Sequence, residues 1–297
     1  TRSATESINL AAASWGMHNL KSGDEILLSE AEHHANLVPW QMVRDQTGCT
    51  LNFFAVNDDG SFNPENFYRA LTPRTKLVGV AGISNVLGTV FPVKEIAAAA
   101  HANGALCLVD ACQSVVHQKI DVKDIGCDFL AFSGHKTYGP TGIGVLYGRY
   151  ELLAAMPPYQ TGGDMVKSVT LQHTEFAEPP ARFEAGTPAI AEAVGLGAAL
   201  EYMSRLGMEN IAAHEKTLMD YALTRLAEIP ELKVVGTAPD KGGVIAFALG
   251  SIHPQDVAFV LDKEGVAIRT GHHCAEPIVN RMRPCHDLCH TLRFHQG

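Results

Sequence analysis

The chain has 297 residues, 46% of them hydrophobic and 19% charged, with a formal net charge of −9. That length suggests about two domains with ample core, and the acidic balance argues against nucleic acid or an anionic membrane as the main partner. No apolar run approaches the roughly 20 residues of a membrane span, and Thr1-Arg2-Ser3 opens no signal-peptide pattern. The chain begins without Met, as a fragment or trimmed chain would. Its seven cysteines (Cys49, Cys107, Cys112, Cys127, Cys274, Cys285 and Cys289) are an odd number spread over a long chain. That usage fits a reducing compartment better than a disulfide scaffold, so a cytoplasmic location is expected.

In chain order, Ser3-Ala4-Thr5-Glu6 has the capping-box pattern, so a helix is expected to start there with free N–H groups able to bind an anion. Glu25 to Ser29 reads as a strand. Glu32-His33-His34-Ala35-Asn36 follows, then a helix ending near Gly48. Thr50 to Val56 is a further strand, and Asn63-Pro64-Glu65 caps a short helix. Lys76 to Val80 is the next strand, Ser84 to Thr89 the loop after it, and Val93 to Asn103 a helix closed by Gly104. Strands then end at Asp110 and just before Ser133. Strands and helices alternating at this spacing predict an α/β fold with a mostly parallel central sheet and helices on its faces. An irregular stretch, Met156 to Pro188, precedes helices over Ala189–Leu206 and Met208–Ile229. Strands near Leu232–Val235, Val244–Leu249 and Val266–Arg269, with a helix over Pro254–Glu264, read as a small α+β domain. The boundary is placed near residue 204, giving a large domain 1–203 and a small domain 204–297.

The chemistry gathers at strand ends. Phe129 to Phe132 is a short apolar strand, and Ser133-Gly134-His135-Lys136 follows it directly. A lysine there can be desolvated, which frees its lone pair for a Schiff base. Asp110 ends the preceding strand, with Gln113 three residues on. An acid at one strand end and a lysine at a later one form the pair that holds pyridoxal phosphate, the acid keeping the pyridine nitrogen protonated. His33 and Asn85 also lie just past strands, where ligands of parallel sheets collect. In the small domain Arg269-Thr270-Gly271-His272-His273-Cys274 sets a thiol beside two imidazoles, an environment that favours thiolate. Three consecutive residues cannot easily converge on one ion, so no metal is expected there.

These stretches together resemble the group II cysteine desulfurases of the class V aminotransferase group. The matching residues are Thr5-Glu6, Glu32 to Asn36, Ser84 to Gly88, Asp110 to Gln113, Ser133 to Lys136, Arg182 to Pro188 and Arg269 to Cys274. The resemblance implies the fold type I architecture of pyridoxal-phosphate-dependent transferases. It also implies conversion of L-cysteine to L-alanine with a persulfide left on Cys274. Lys136 would carry the cofactor and move the α-proton. Asp110 would pair with the ring nitrogen, His33 would stack on the ring, and Gln113 would bond its phenolic oxygen. Thr5, Glu6, Ser133 and His135 would belong to the cofactor site, with Thr187 reaching the phosphate from a second subunit. Asn85, Arg269 and His272 would lie beside the substrate, Asn85 also beside a cofactor oxygen, and the catalytic residues would be Lys136, Cys274 and His33. A homodimer, a sulfur-acceptor protein, a part in iron–sulfur cluster assembly and possible selenocysteine lyase activity are implied in the same way.

The sequence departs from the family at both ends. The segment that precedes the Thr5 region in the family is missing, and the pattern after about residue 277 is altered. Cys285-His286-Asp287-Leu288-Cys289-His290 separates its cysteines by one residue more than haem attachment allows. Arg281, Arg283 and Arg293 match no substrate-clamping position. Two other readings stay open. One is a different class V enzyme, an aminotransferase or kynureninase-like lyase, for which a thiol nucleophile has no use. The other is a truncated, inactive chain that holds the cofactor.

Overall fold

The first helix, α1 (Ala4–Leu10), begins where its capping residues require. Ser3 is extended, and its Oγ accepts the Glu6 N–H at 3.3 Å. Glu6 does not close the box on Ser3; its carboxylate takes the Arg2 N–H and the Tyr159 hydroxyl instead. The computed structural model describes residues 1–282 and the backbone of residues 290–293. From α1 the helical path continues through a π-helical turn, Ala11–Gly16, into the short α2 (Met17–Asn19).

The large sheet is built from β1 (Glu25–Ser29), β2 (Thr50–Phe54), β3 (Thr75–Ala81), β4 (Leu106–Asp110), β5 (Phe129–Ser133) and β6 (Gly144–Gly148). Its order is β2-β1-β3-β4-β5-β6; the first five strands run parallel and β6 is antiparallel. Connecting helices are α3 (Val38–Thr47), α4 (Pro64–Ala70), α5 (Val93–Ala102), α6 (Ser114–His117) and α7 (Val122–Ile125), with α8 (Tyr150–Ala155) after β6. Alternate strand residues face opposite sides. Ile26, Leu28, Leu77, Leu108 and Phe129 pack with Ile8, Leu10 and Trp40 on one face. Leu27, Val78, Val80, Val109 and Leu130 pack with Phe67 and Ile96 on the other. Each large side chain so buried contributes roughly 1.5–3 kcal/mol. With helices on both faces, β1 and β5 are buried throughout, which explains their unbroken apolar runs.

A hairpin, β7 (Val166–Val169) with β8 (Thr174–Phe176), stands apart from the sheet, followed by α9 (Ile190–Leu206) and α10 (Met208–Leu226). The expected boundary near residue 204 falls in the last turn of α9. A second sheet has the order β11-β12-β10-β9, all antiparallel, from β9 (Leu232–Val235), β10 (Val244–Leu249), β11 (Arg269–Thr270) and β12 (His290–Arg293). Two more helices, α11 (Pro254–Lys263) and α12 (Glu276–Met282), belong to this part of the chain.

The expected strands and helices recur within a few residues of their sequence limits, one strand is shortened, and the helices α6, α7, α8 and α12 are additions among the described residues. The expected strand Val266–Arg269 narrows to β11, because among the described residues only Arg269 and Thr270 find a pairing partner, in β12. The strands β6, β7, β8 and β12 have no counterpart in the sequence reading. β6 is bracketed by Gly144 and Gly148, which hide its apolar pattern. Among the described residues no helix is long and apolar enough to cross a membrane.

Candidate active site

The parallel strands end level with one another. Ala81 of β3 and Ala131 of β5 stand in register with Asp110 of β4. Their carboxyl ends therefore open onto one space, a cavity of about 270 Å³.

From β5 the chain turns immediately into a 3-10 turn, Gly134–Lys136. Gly134 is required there, since a Cβ would lie 2.6 Å from the Ile143 side chain. Its carbonyl accepts the Thr137 N–H at 2.9 Å and the Gly139 N–H at 3.0 Å. This tight fold presents half-buried Lys136 to the cavity and leaves His135 exposed at its rim. Ser133 Oγ accepts the Ala4 N–H at 2.8 Å, which ties the start of α1 to the end of β5. Gly144 makes that approach possible, because a Cβ on it would lie 2.5 Å from the Ser3 backbone. Thr5, Ser133 and His135 thus share one end of the cavity with the positive end of a helix, where an anion is favoured.

Asp110, also of the lining, is buried, and its Oδ1 accepts the Cys112 N–H at 3.0 Å. Two further buried polar atoms of cavity residues, Gln113 Nε2 and Asn85 Oδ1, have no hydrogen-bond partner among the described residues. Buried polar groups are almost always satisfied, so a donor and an acceptor left open in one cavity point to a polar ligand. Asn85 is oriented by its other atom, since Nδ2 donates to the His273 carbonyl at 2.7 Å.

His33 begins a 3-10 turn, His34–Asn36, and its own Nδ1 accepts the Ala35 N–H at 3.0 Å. In the neutral ring this leaves the proton on Nε2. Beneath it Glu32 is fully enclosed. Its carboxylate receives the Ser29 hydroxyl, the Asn36 amide at 2.8 Å and the Ala81 N–H at 2.9 Å. Burial dominates those hydrogen bonds and pushes the carboxyl up to about 8. Glu32 therefore braces the ends of both β1 and β3.

Arg269, His273 and Cys274 complete the lining from the second sheet's side, with Cys274 exposed. Among residues expected at a site, Thr5, His33, Asn85, Asp110, Gln113, Ser133, His135, Lys136, Arg269 and Cys274 all line this cavity. Glu6, Thr187 and His272 do not. The Glu6 carboxyl turns toward Arg2 and Tyr159. Burial would raise its pKa, yet the hydrogen bonds from Tyr159 and the Arg2 N–H bring it below the usual carboxylate range. Thr187 is exposed, and His272 Nδ1 faces Glu276 at 3.9 Å. Cys285 and Cys289 lie outside the described residues.

Ser3 and Cys112 also line the cavity, and the sequence reading assigned neither a role there. Cys112 sits between Asp110 and Gln113 in the chain, which was the available signal. Burial first, then the Asp110 charge, push its thiol up to about 12, so it stays protonated. Cys107 is likewise raised by burial inside β4, in keeping with inert packing.

The family model for aminotransferase class-V matches residues 1–294. A cysteine desulfurase from Dickeya dadantii (strain 3937) is 54% identical over 281 residues, which are 94% of this chain and 68% of that protein. One from Synechococcus elongatus is 50% identical over 281 residues, covering 95% of this chain and 45% of that protein. Among solved structures, the cysteine desulfurase CsdA (S-sulfonic acid) from Escherichia coli superposes with a TM-score of 0.95 at 37% identity. That match covers 99% of this chain and 73% of that one.

Proposed function

Because the chain belongs to the aminotransferase class-V family, we propose that it is a pyridoxal-phosphate-dependent cysteine desulfurase of group II. It converts L-cysteine to L-alanine and leaves a persulfide on Cys274. The observation that carries this reading is the meeting of Lys136, Asp110 and an exposed thiol, Cys274, around one cavity.

The residues present fit the cofactor. Open donor and acceptor atoms on Gln113 and Asn85 face a space that already holds a lysine and a buried acid. Bound pyridoxal phosphate supplies an electron sink that labilises bonds at the substrate's α and β carbons. Lys136 Nζ would hold it and would carry the substrate's α-proton. The Asp110 carboxylate would keep the pyridine nitrogen protonated, and Gln113 Nε2 would donate to the phenolic oxygen. Ser133, His135, Thr5 and the first turn of α1 hold the phosphate, and Thr187 of a second copy adds to it. His33 would cover the ring. Asn85 and Arg269 orient the substrate, and His272 stands beside them.

The Cys274 thiolate attacks the substrate's sulfur. An S–S bond forms as the C–S bond breaks, and the electron pair passes to the carbon skeleton, which takes up protons and leaves as alanine. The sulfur then passes to an acceptor protein, in a homodimeric cytoplasmic enzyme that serves iron–sulfur cluster assembly. Selenocysteine is a second substrate.

The test is to supply the purified chain with pyridoxal phosphate and L-cysteine and to measure sulfide and alanine. Mass spectrometry is expected to find one added sulfur on the Cys274 peptide, and none in Cys274→Ser, whose alcohol offers almost no anion at neutral pH. Sulfur on Cys285 or Cys289 instead would move the chemistry to the tail. Alanine formed at the parent rate by Cys274→Ser would sink the reading.

A further inference from the structure

The loop that carries Cys274 is held in shape from outside. His273 and Cys274 are consecutive non-glycine residues with left-handed backbone, at φ 52° and 56°. Such a conformation is strained for a residue with a side chain and persists only where its surroundings impose it. Those surroundings are the strand ends of the large sheet. Asn85 Nδ2 holds the His273 carbonyl, as described above. His34 holds the loop twice. Its backbone N–H donates to the Cys274 carbonyl at 2.7 Å, and its ring Nε2 accepts the Glu276 N–H at 3.1 Å.

The two bonds follow the thiol closely, one on the Cys274 carbonyl and one at the first residue of α12. Between them Ala275 is fully buried, so the loop cannot relax inward. Further along α12, Arg281 donates to the Val56 carbonyl at 2.8 Å and pairs with Glu30, which fixes the far end of that helix. His34 itself does not line the cavity. It follows His33 directly in the chain, so one short turn carries both the cavity histidine and the clip on the thiol loop.

We propose that His34 is the positioning residue for Cys274, setting where the thiol lies relative to the cavity. This deepens the desulfurase reading and rests on Cys274 as the sulfur acceptor. With Nε2 accepting, the neutral ring carries its proton on Nδ1. The clip therefore needs an uncharged acceptor at the reach of Nε2. Glutamine supplies one; alanine and phenylalanine do not.

The experiment compares His34→Ala and His34→Gln with the parent, all loaded with pyridoxal phosphate. In His34→Ala, borohydride-trapped cofactor and the KM for L-cysteine stay within about twofold of the parent, while kcat falls about tenfold or more, as misplacement of a reacting group predicts. Amide exchange at Cys274 to Glu276 accelerates in the same variant. His34→Gln restores both toward the parent. If His34→Ala fails to fold, His34→Phe takes its place, keeping the bulk without the acceptor.

Unchanged exchange and turnover in His34→Ala would overturn the proposal. So would a glutamine variant no better than alanine, or a loss of cofactor uptake large enough to account for the lost turnover. A parent without desulfurase turnover would fail the functional reading alone. Exchange at Glu276 in the same variants would still decide whether His34 is the clip.

Discussion

At the scale of single residues, the site depends on a few side chains that the local backbone delivers to the cavity. Lys136 is the clearest, since the 3-10 turn at Gly134–Lys136 aims it into the cavity before any cofactor is considered. Lys136→Ala removes the amine without disturbing the Gly134 carbonyl that organises the turn. Borohydride is then expected to fix no pyridoxal phosphate to the chain, while the far-ultraviolet circular dichroism stays that of the parent. Label retained on the variant would assign the link to another lysine. Asp110, Gln113 and Asn85 are buried and Lys136 half-buried, so the polar end of the cavity is made of groups whose water has already been displaced. Low dielectric strengthens each of their contacts with a ligand and penalises each one left unmade.

Among the elements, the joint between the two sheets matters most to the site. The Ser84–Thr89 turn carries Asn85, and the same turn is fastened to the chain leading into β10. The Gly242 N–H donates to the Gly88 carbonyl at 2.8 Å, and the Val90 N–H donates to the Asp240 carbonyl at 3.2 Å. Lys241 Nζ donates to the carbonyls of Leu87 and Gly236. Gly88 has φ 72°, and a Cβ there would lie 2.8 Å from the Val244 carbonyl oxygen. Gly104 has a similar φ of 77° with open space around it. Gly104→Ala is therefore expected to cost only the left-handed backbone, about 1–2 kcal/mol. Gly88→Ala carries that cost plus the clash. Urea denaturation of both variants measures the difference, and equal midpoints would mean that the joint yields without resistance.

For the whole molecule, two ionisable groups shifted by burial make stability depend on pH in opposite directions. Glu32 is held by burial at about 8 in the folded chain, against an ordinary value of 4.5. Between those values the folded state binds more protons than the unfolded one, so its contribution to stability falls as pH rises from 4.5 to 8. Lys241 is depressed by burial to about 8, against an ordinary 10.5. There the folded state binds fewer protons, so stability rises from pH 8 to 10.5. Each contribution is read as a difference from its variant. Relative to Glu32→Gln, the parent is expected to lose ground through pH 5–8; relative to Lys241→Met, it is expected to gain through pH 8–10.5. Urea midpoints at half-unit intervals measure both, and parallel curves for parent and variant would refute the corresponding assignment.

How much of this was readable beforehand depended on the range of the interaction. Capping at Ser3 and Asn63, the left-handed stop at Gly48 and the apolar runs of β1, β4 and β5 are local, and the sequence alone determined them. It also singled out residues that the fold gathers around one cavity, because a strand end followed by Asp110, or by Ser133 to Lys136, is a short-range pattern. The sequence could not say where the Glu6 carboxylate would go. A capping box predicts a return to Ser3, but Tyr159, 153 residues away, lay closer in space. It could not end β11 after two residues, since a strand lasts only as long as its partner does. Nor could it show that His34, an unremarked neighbour of His33, would meet Glu276 across 242 residues of chain. Those outcomes were decided by tertiary structure, because hydrogen bonds and desolvation act through space and leave no periodicity in the sequence.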